Sequence, residues 1–114
     1  WPLDQVVSNA SRASYEAVHR HLLRLRGAAR DLQEVWLGGK LMRSQVLERR
    51  REVEVFRHTI AHFVTSTLRY TNWQILDVCW RDMVARMHSH GRDIASLRTI
   101  HDDFVDAISR RCLL

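Results

Sequence analysis

Between Gly39 and Gly91 the chain runs for 51 residues without a Gly or a Pro. The whole sequence of 114 residues holds only 4 Gly and 1 Pro. Sheets of many short strands need many turn residues, so this scarcity excludes turn-rich all-β folds and leaves helices. Within the unbroken stretch, apolar side chains recur at Val53, Phe56, Ile60 and Phe63, continue through Tyr70, and resume at Trp73, Leu76, Trp80, Met83 and Met87. Spacings of three and four are the period of one helical face. The phase changes near residues 67–73, which predicts one long central helix over about 45–88 whose buried face shifts partway. At about 1.5 Å per residue such a helix spans roughly 60–65 Å, against a radius of gyration of about 13 Å for a compact domain of this size. The helix is therefore expected to pack against further protein. The first residue is not Met and the last three are Cys112, Leu113 and Leu114, so a segment of a longer chain is expected.

Two further helices flank the central one. An extended entry is expected over Trp1–Val7, around Pro2, and the Ser8–Ser11 cluster supplies N-cap side chains. Tyr15, Val18, Leu22, Leu25, Ala29, Leu32 and Trp36 then alternate by three and four, a heptad seam that requires a packed partner and the burial of Leu25 and Leu32. Gly38-Gly39 is expected to end this helix at about 11–37, through the left-handed C′ conformation. After Gly91, Asp93 is placed to cap a third helix over about 93–112, with Ile94, Leu97, Ile100, Phe104, Ile108 and Cys112 on one face. The expected fold is an all-α antiparallel helical bundle with one long central helix, a fragment of a larger elongated domain.

Chemistry finds little support in the sequence. His58 and His62 share a helix face, but Thr59 stands where a zinc protease needs its Glu, and no third ligand lies nearby. His19/His21 and His88/His90, two residues apart, point to different faces. There is no glycine-rich phosphate loop and no nucleophile elbow. Asp102, Asp103 and Asp106 are expected to offset Arg110 and Arg111 on a solvated face. No enzyme activity, cofactor, metal or small-molecule substrate is expected. Cys79 and Cys112 cannot build a disulfide framework and are read as ordinary intracellular thiols. The start has no signal-peptide pattern, and no apolar run approaches the roughly 18 residues of a membrane span. The formal charge is +5, which suggests acidic partners. The Arg49-Arg50-Arg51 run is bracketed by Glu48, Glu52 and Glu54, whereas a nucleic-acid helix usually lacks such interleaved acids. A basic helical nucleic-acid-binding module is the alternative reading. Of the four tryptophans, Trp36, Trp73 and Trp80 lie on helical seams, where the default role is packing.

Taken together, several positions resemble the C-terminal half of the γ-tubulin complex protein family, the Grip-motif family. Trp1, Pro2, Leu3, Tyr15, Leu22 and Trp36 are similar to its opening. Arg57, Ile60 and Phe63 stand where it has an Arg, an apolar residue and a Phe; Tyr70 matches the second of two adjacent Tyr. Ile75, Asp77 and Trp80 correspond to an apolar residue, an acid and a frequent Trp. His101, Phe104 and Cys112-Leu113-Leu114 resemble its closing pattern. Departures are Arg69 for the first Tyr of the pair, Asp77 for Glu, and Val105 for the Leu after Phe104.

The resemblance implies that residues 1–114 are part of a C-terminal, second Grip-motif domain. It also implies a non-enzymatic scaffold that binds γ-tubulin, assembles with other γ-tubulin complex proteins in a hetero-oligomer and supports microtubule nucleation. The place would be cytoplasmic, at a microtubule-organising centre or spindle pole, with no nucleic-acid or membrane partner. The expected partner-binding residues are Arg20, Arg24 and Arg30, on or beside the flank of the first helix that faces away from the Tyr15–Trp36 seam, where basic charge suits an acidic tubulin.

Overall fold

The computed structural model describes the backbone of residues 2–41 and 47–114, and within these the side chains of 3–38 and 49–114. Its elements are α1 (Pro2–Val6), α2 (Asn9–Leu41), α3 (Leu47–Tyr70), a π-helical segment (Thr71–Asp77), α4 (Val78–His90) and α5 (Ile94–Arg111). Among the described residues no strand occurs, and the fold is an all-α helical bundle.

The chain divides into two compact units. The first joins the residues before Leu22 to Tyr70–Leu114, and the second is Leu22–Arg69. In the first unit α4 and α5 pack on each other, α1 packs on α5, and the π segment meets both α4 and α5. Its core is Val18, Ile75, Cys79, Met83, Ile100, Phe104, Val105, Ile108 and Cys112, with the polar side chains of Ser11, Thr71 and His101 buried among them. In the second unit the later turns of α2 meet α3 through Arg57, and Val64 is the one fully buried apolar residue among those described.

Local chemistry explains the ends of these helices. Ser8 Oγ accepts from the Ser11 amide at 3.2 Å while the Ser8 carbonyl takes the Arg12 amide, an N-cap that starts α2. Asp93 does the same for α5, accepting from the Ser96 amide at 2.7 Å. Ser96 lowers the Asp93 pKa, through its side chain first and its amide second. The cap therefore contributes above the ordinary carboxylate range and is lost as pH falls through the lowered value. Gly91 turns α4 into α5. A Cβ there would run into the Met87 carbonyl and come within 2.7 Å of Leu97 Cδ2, so only glycine fits. At the far end the Leu114 amide reaches the Ser109 carbonyl and the Leu113 amide that of Arg110, with Leu113 at φ 60. This is a Schellman closure with Leu in the place glycine usually takes.

Four expectations are corrected. The entry is not extended: Pro2 opens the short helix α1, a position where its missing N–H costs nothing. Gly38 and Gly39 do not end α2, which continues to Leu41; no described glycine has positive φ, so they pass as ordinary, if weak, helix residues. Leu25 and Leu32 are half-buried, as are Tyr15, Leu22, Ala29 and Trp36, with Val18 alone fully buried on that seam. On the central stretch the large aromatics are not the buried face. Phe56 and Phe63 are each 68% exposed, and Val53, Tyr70, Trp73 and Trp80 are exposed too. The face turned inward in the first unit carries smaller side chains, Thr71, Ile75, Cys79 and Met83.

The π segment accounts for the phase change. Its flanking residues Tyr70 and Val78 keep right-handed helical angles (φ −58, ψ −47 and φ −65, ψ −48), so the backbone stays helical throughout. A π turn closes i→i+5 instead of i→i+4 bonds and so absorbs close to one extra residue. Thr71 and Cys79, eight apart, thereby share a face that an α-helix returns to after seven. Deleting the exposed Gln74 should let the segment relax to α-helix with Thr71 and Cys79 kept on one face. Deleting Ala85 should rotate the end of α4 off α5. Thermal melts should show a smaller loss for the Gln74 deletion; equal losses would refute this origin of the shift. At Ile108, 1% exposed, substitution by Ala should cost about 2–5 kcal/mol in urea denaturation, the usual range for a core methyl deletion.

Candidate functional site

The flank of α2 that carries Arg20 and Arg24 is exposed at both residues, one turn apart, and neither makes an ion pair among the described residues. Arg30 differs. Exposed at 75% of its side chain, it lies 3.6 Å from Asp31 and 3.8 Å from Glu34 of the same helix. Part of its charge is met locally, so Arg20 and Arg24 carry the open positive charge of the expected flank.

Most of the remaining singled-out residues meet in two clusters. In the first unit Tyr15 of α2, Trp80 of α4, and His101 and Phe104 of α5 form one aromatic group. Tyr15 Oη lies 2.7 Å from His101 Nε2. The ring centroids are 5.7 Å apart for Tyr15–His101, 6.5 Å for Tyr15–Phe104 and for His101–Phe104, and 6.1 Å for the edge-on Trp80–Phe104 pair. Burial raises the Tyr15 pKa, so its phenol stays protonated at neutral pH. His101 is 5% exposed; its Nδ1 makes no hydrogen bond and lies 3.8 Å from Asp102. Asp102 instead accepts from Ser11 Oγ at 3.2 Å, a second tie between α2 and α5. Cys112 closes this core beside Cys79. Burial first, and the neighbouring thiol second, push the Cys112 pKa up and disfavour its thiolate; both cysteines are free and buried.

In the second unit Arg57 is the organising residue. Its side chain is 12% exposed. It donates to Glu54 through Nε at 3.1 Å and Nη2 at 2.6 Å, and through Nη1 to the Leu32 carbonyl of α2 at 3.5 Å. Its guanidinium carbon sits 5.9 Å from the Trp36 ring centroid, within cation–π reach. The Arg57 hydrogen bond lowers the Glu54 pKa. Trp36 and Arg57, 21 positions apart in the sequence, thus form one contact.

Other singled-out positions stand apart from these clusters. Leu3 of α1, Phe63 and Tyr70 are exposed, and the Trp1 and Pro2 side chains lie outside the described residues. The acidic cluster of α5 does not pair as expected. Asp103 binds Arg86 across the α4–α5 hairpin at 2.8 Å and Asp102 lies 3.8 Å from Arg98, while Arg111 reaches Cys79 Sγ at 3.4 Å. Arg110 Nε approaches the Asp106 carbonyl at 3.4 Å. His58 and His62 are exposed, and among the described residues no three His, Cys, Asp or Glu side chains gather as a metal would require. No described helix is long and apolar enough to cross a membrane.

Removing the Tyr15 hydroxyl leaves a buried imidazole with neither nitrogen satisfied. Tyr15→Phe should cost about 1–3 kcal/mol at pH 7, the cost of orphaning a buried polar group. Urea denaturation checks it; a loss below about 0.5 kcal/mol would show that the pair contributes nothing.

Comparison with known proteins gives these contacts a context. The sequence model of the family described as Gamma tubulin complex component C-terminal matches residues 1–114. Gamma-tubulin complex component 2 of Arabidopsis thaliana is 29% identical over 125 residues, covering 100% of this chain and 17% of that protein. Gamma-tubulin complex component 6 of Homo sapiens is 28% identical over 120 residues, covering 100% of this chain and 6% of that protein. Gamma-tubulin complex component 3 of Arabidopsis thaliana is 24% identical over 127 residues, covering 99% and 15%. The chain thus spans between 6% and 17% of these relatives. With a match over its full length, and with Tyr15, Trp36, Arg57, Trp80, His101, Phe104 and Cys112 all engaged in packing, the chain belongs to the gamma-tubulin complex component C-terminal family.

Proposed function

We propose that this chain is part of a non-enzymatic scaffold of the γ-tubulin complex. Within a C-terminal, second Grip-motif domain it helps to bind γ-tubulin and to hold it in an array with other γ-tubulin complex proteins. That array supports microtubule nucleation in the cytoplasm, at microtubule-organising centres or spindle poles. The observation that carries the reading is the full-length family match, taken with relatives that are themselves γ-tubulin complex components. The physical logic agrees. Nucleation is slow because several subunits must be oriented at once. A helical body that fixes a partner's orientation removes part of that entropic barrier without chemistry. The nucleic-acid alternative has less support, because Asp31, Glu34 and Glu54 sit among the arginines of the second unit and pair with them.

In this reading Arg20 and Arg24, with Arg30 beside them, form an electrostatic rim for the acidic surface of γ-tubulin. Rim charges act on association rate and salt dependence far more than on fold stability. Reversing both residues in the full-length protein (Arg20→Glu with Arg24→Glu) should leave helicity and melting nearly unchanged. It should slow γ-tubulin capture at low salt by about 3- to 10-fold, and by less as salt rises. Capture rates indifferent to the reversal would remove this flank from the interface. Steep salt-dependent binding to a short duplex would favour the nucleic-acid alternative.

A further inference from the structure

Cys79 and Cys112 are the two thiols of the chain, and both are buried in the core of the first unit, each 7% exposed. Cys79 belongs to α4 and Cys112 caps the end of α5, and these helices pack on each other as a hairpin. In an antiparallel pair, each step back along one helix is matched by a step forward along the other. Arg86 of α4 and Asp103 of α5 meet at 2.8 Å. Seven steps on from that pair, Cys79 comes level with Arg110, and the Arg111 guanidinium reaches Cys79 Sγ at 3.4 Å. Cys112 is the next residue, about 1.5 Å further along the axis. Packed helix axes stand about 8–10 Å apart, so inward-facing side chains at one level fall within the Cα spacing of about 4.4–6.8 Å that a disulfide spans.

The two sulfurs are not equivalent. Cys79 lines a cavity of about 480 Å³ between α4 and α5, whose wall carries arginines and aspartates alike, so it admits a small neutral molecule without favouring an ion. Arg111 stands against its sulfur, and a neighbouring arginine is a setting in which cysteines react. Cys112 is not part of that wall, and burial first and the Cys79 thiol second disfavour its thiolate.

We propose that Cys79 and Cys112 form an oxidation site: a peroxide entering the α4–α5 cavity oxidises Cys79, and Cys112 resolves the product into a disulfide that ties the end of α5 to α4. In the first step the Cys79 thiolate attacks a peroxide oxygen. An S–O bond forms, the O–O bond breaks, and the departing hydroxide takes up the thiol proton as water. In the second, the Cys112 sulfur attacks the sulfenic sulfur of Cys79. The S–S bond forms, the S–O bond breaks, and the hydroxyl leaves with the Cys112 proton as a second water. The two thiols lose two electrons and the peroxide gains them. The inference needs only the packing of the first unit, and stands whether or not γ-tubulin binds elsewhere on the protein.

The test treats the full-length protein with hydrogen peroxide at neutral pH, blocks the remaining thiols with N-ethylmaleimide and maps the digest by mass spectrometry. A peptide linking Cys79 to Cys112 should appear, lighter by two hydrogens than the separate thiols, and dithiothreitol should abolish it. In Cys112→Ala, where no resolving thiol remains, dimedone should label Cys79. In Cys79→Ala it should leave Cys112 unlabelled. Arg111 is exposed, so Arg111→Gln should leave circular dichroism unchanged while slowing formation of the linked peptide by about threefold or more. Mapping the unaltered protein needs no substitution, so a variant that disturbs the fold does not blunt the test. Absence of the linked peptide would overturn the proposal, as would pairing of either thiol with a different cysteine of the protein or of a second molecule. So would dimedone on Cys112 in place of Cys79, or a linkage rate indifferent to Arg111→Gln.

Discussion

The hydrogen bond between Tyr15 and His101 joins side chains 86 positions apart. Around it the first unit is assembled. Without that pair, and the Ser11–Asp102 bond one turn earlier on α2, the start of α2 would meet α5 through apolar contact alone, which fixes distance but not rotation. A hydrogen bond to a buried imidazole is directional and costly to leave unmade, so it sets the register of α2 on α5. Phe104 and Trp80 then pack against the pair and bring α4 into the same cluster. Glycine at position 91 is the second requirement, because the α4–α5 hairpin closes only where no Cβ intervenes.

What could be read in the sequence was the part written in local chemistry. Ser8 and Asp93 are N-caps by residue type, and Gly91 is a break by the absence of a side chain. Spacing put the Tyr15–Trp36 residues on one face of α2, but of these only Val18 is fully buried. The central stretch was harder. Its large aromatics fall at spacings of three and four and so resemble a core, yet Phe56, Phe63, Trp73 and Trp80 are exposed. Thr71, Ile75, Cys79 and Met83 fill the inward face, and each alone is a weak signal. Their repeated spacing of four was the available clue to a π turn, since an α-helix alone would carry such a series steadily around its axis. Gly38-Gly39 misled for a related reason: glycine permits the left-handed turn but does not impose it.

The singled-out residues divide along similar lines. Those that resemble the family's pattern largely face one another inside a unit, Tyr15 with His101 and Phe104, Trp36 with Arg57. Packing of this kind preserves a shape and says little about the partner. What stays outside includes exposed arginines on α2 and exposed aromatics on α3. Periodicity could not separate these exposed faces from the core, because both carry apolar residues at spacings of three and four.

The central claim, that this segment contributes to γ-tubulin binding within a scaffold, is tested most directly by purifying the parent protein with and without residues 1–114 from cells and measuring the γ-tubulin that accompanies each. The account predicts that the shortened protein retains other γ-tubulin complex components and loses γ-tubulin. Undiminished γ-tubulin on the shortened protein would contradict it.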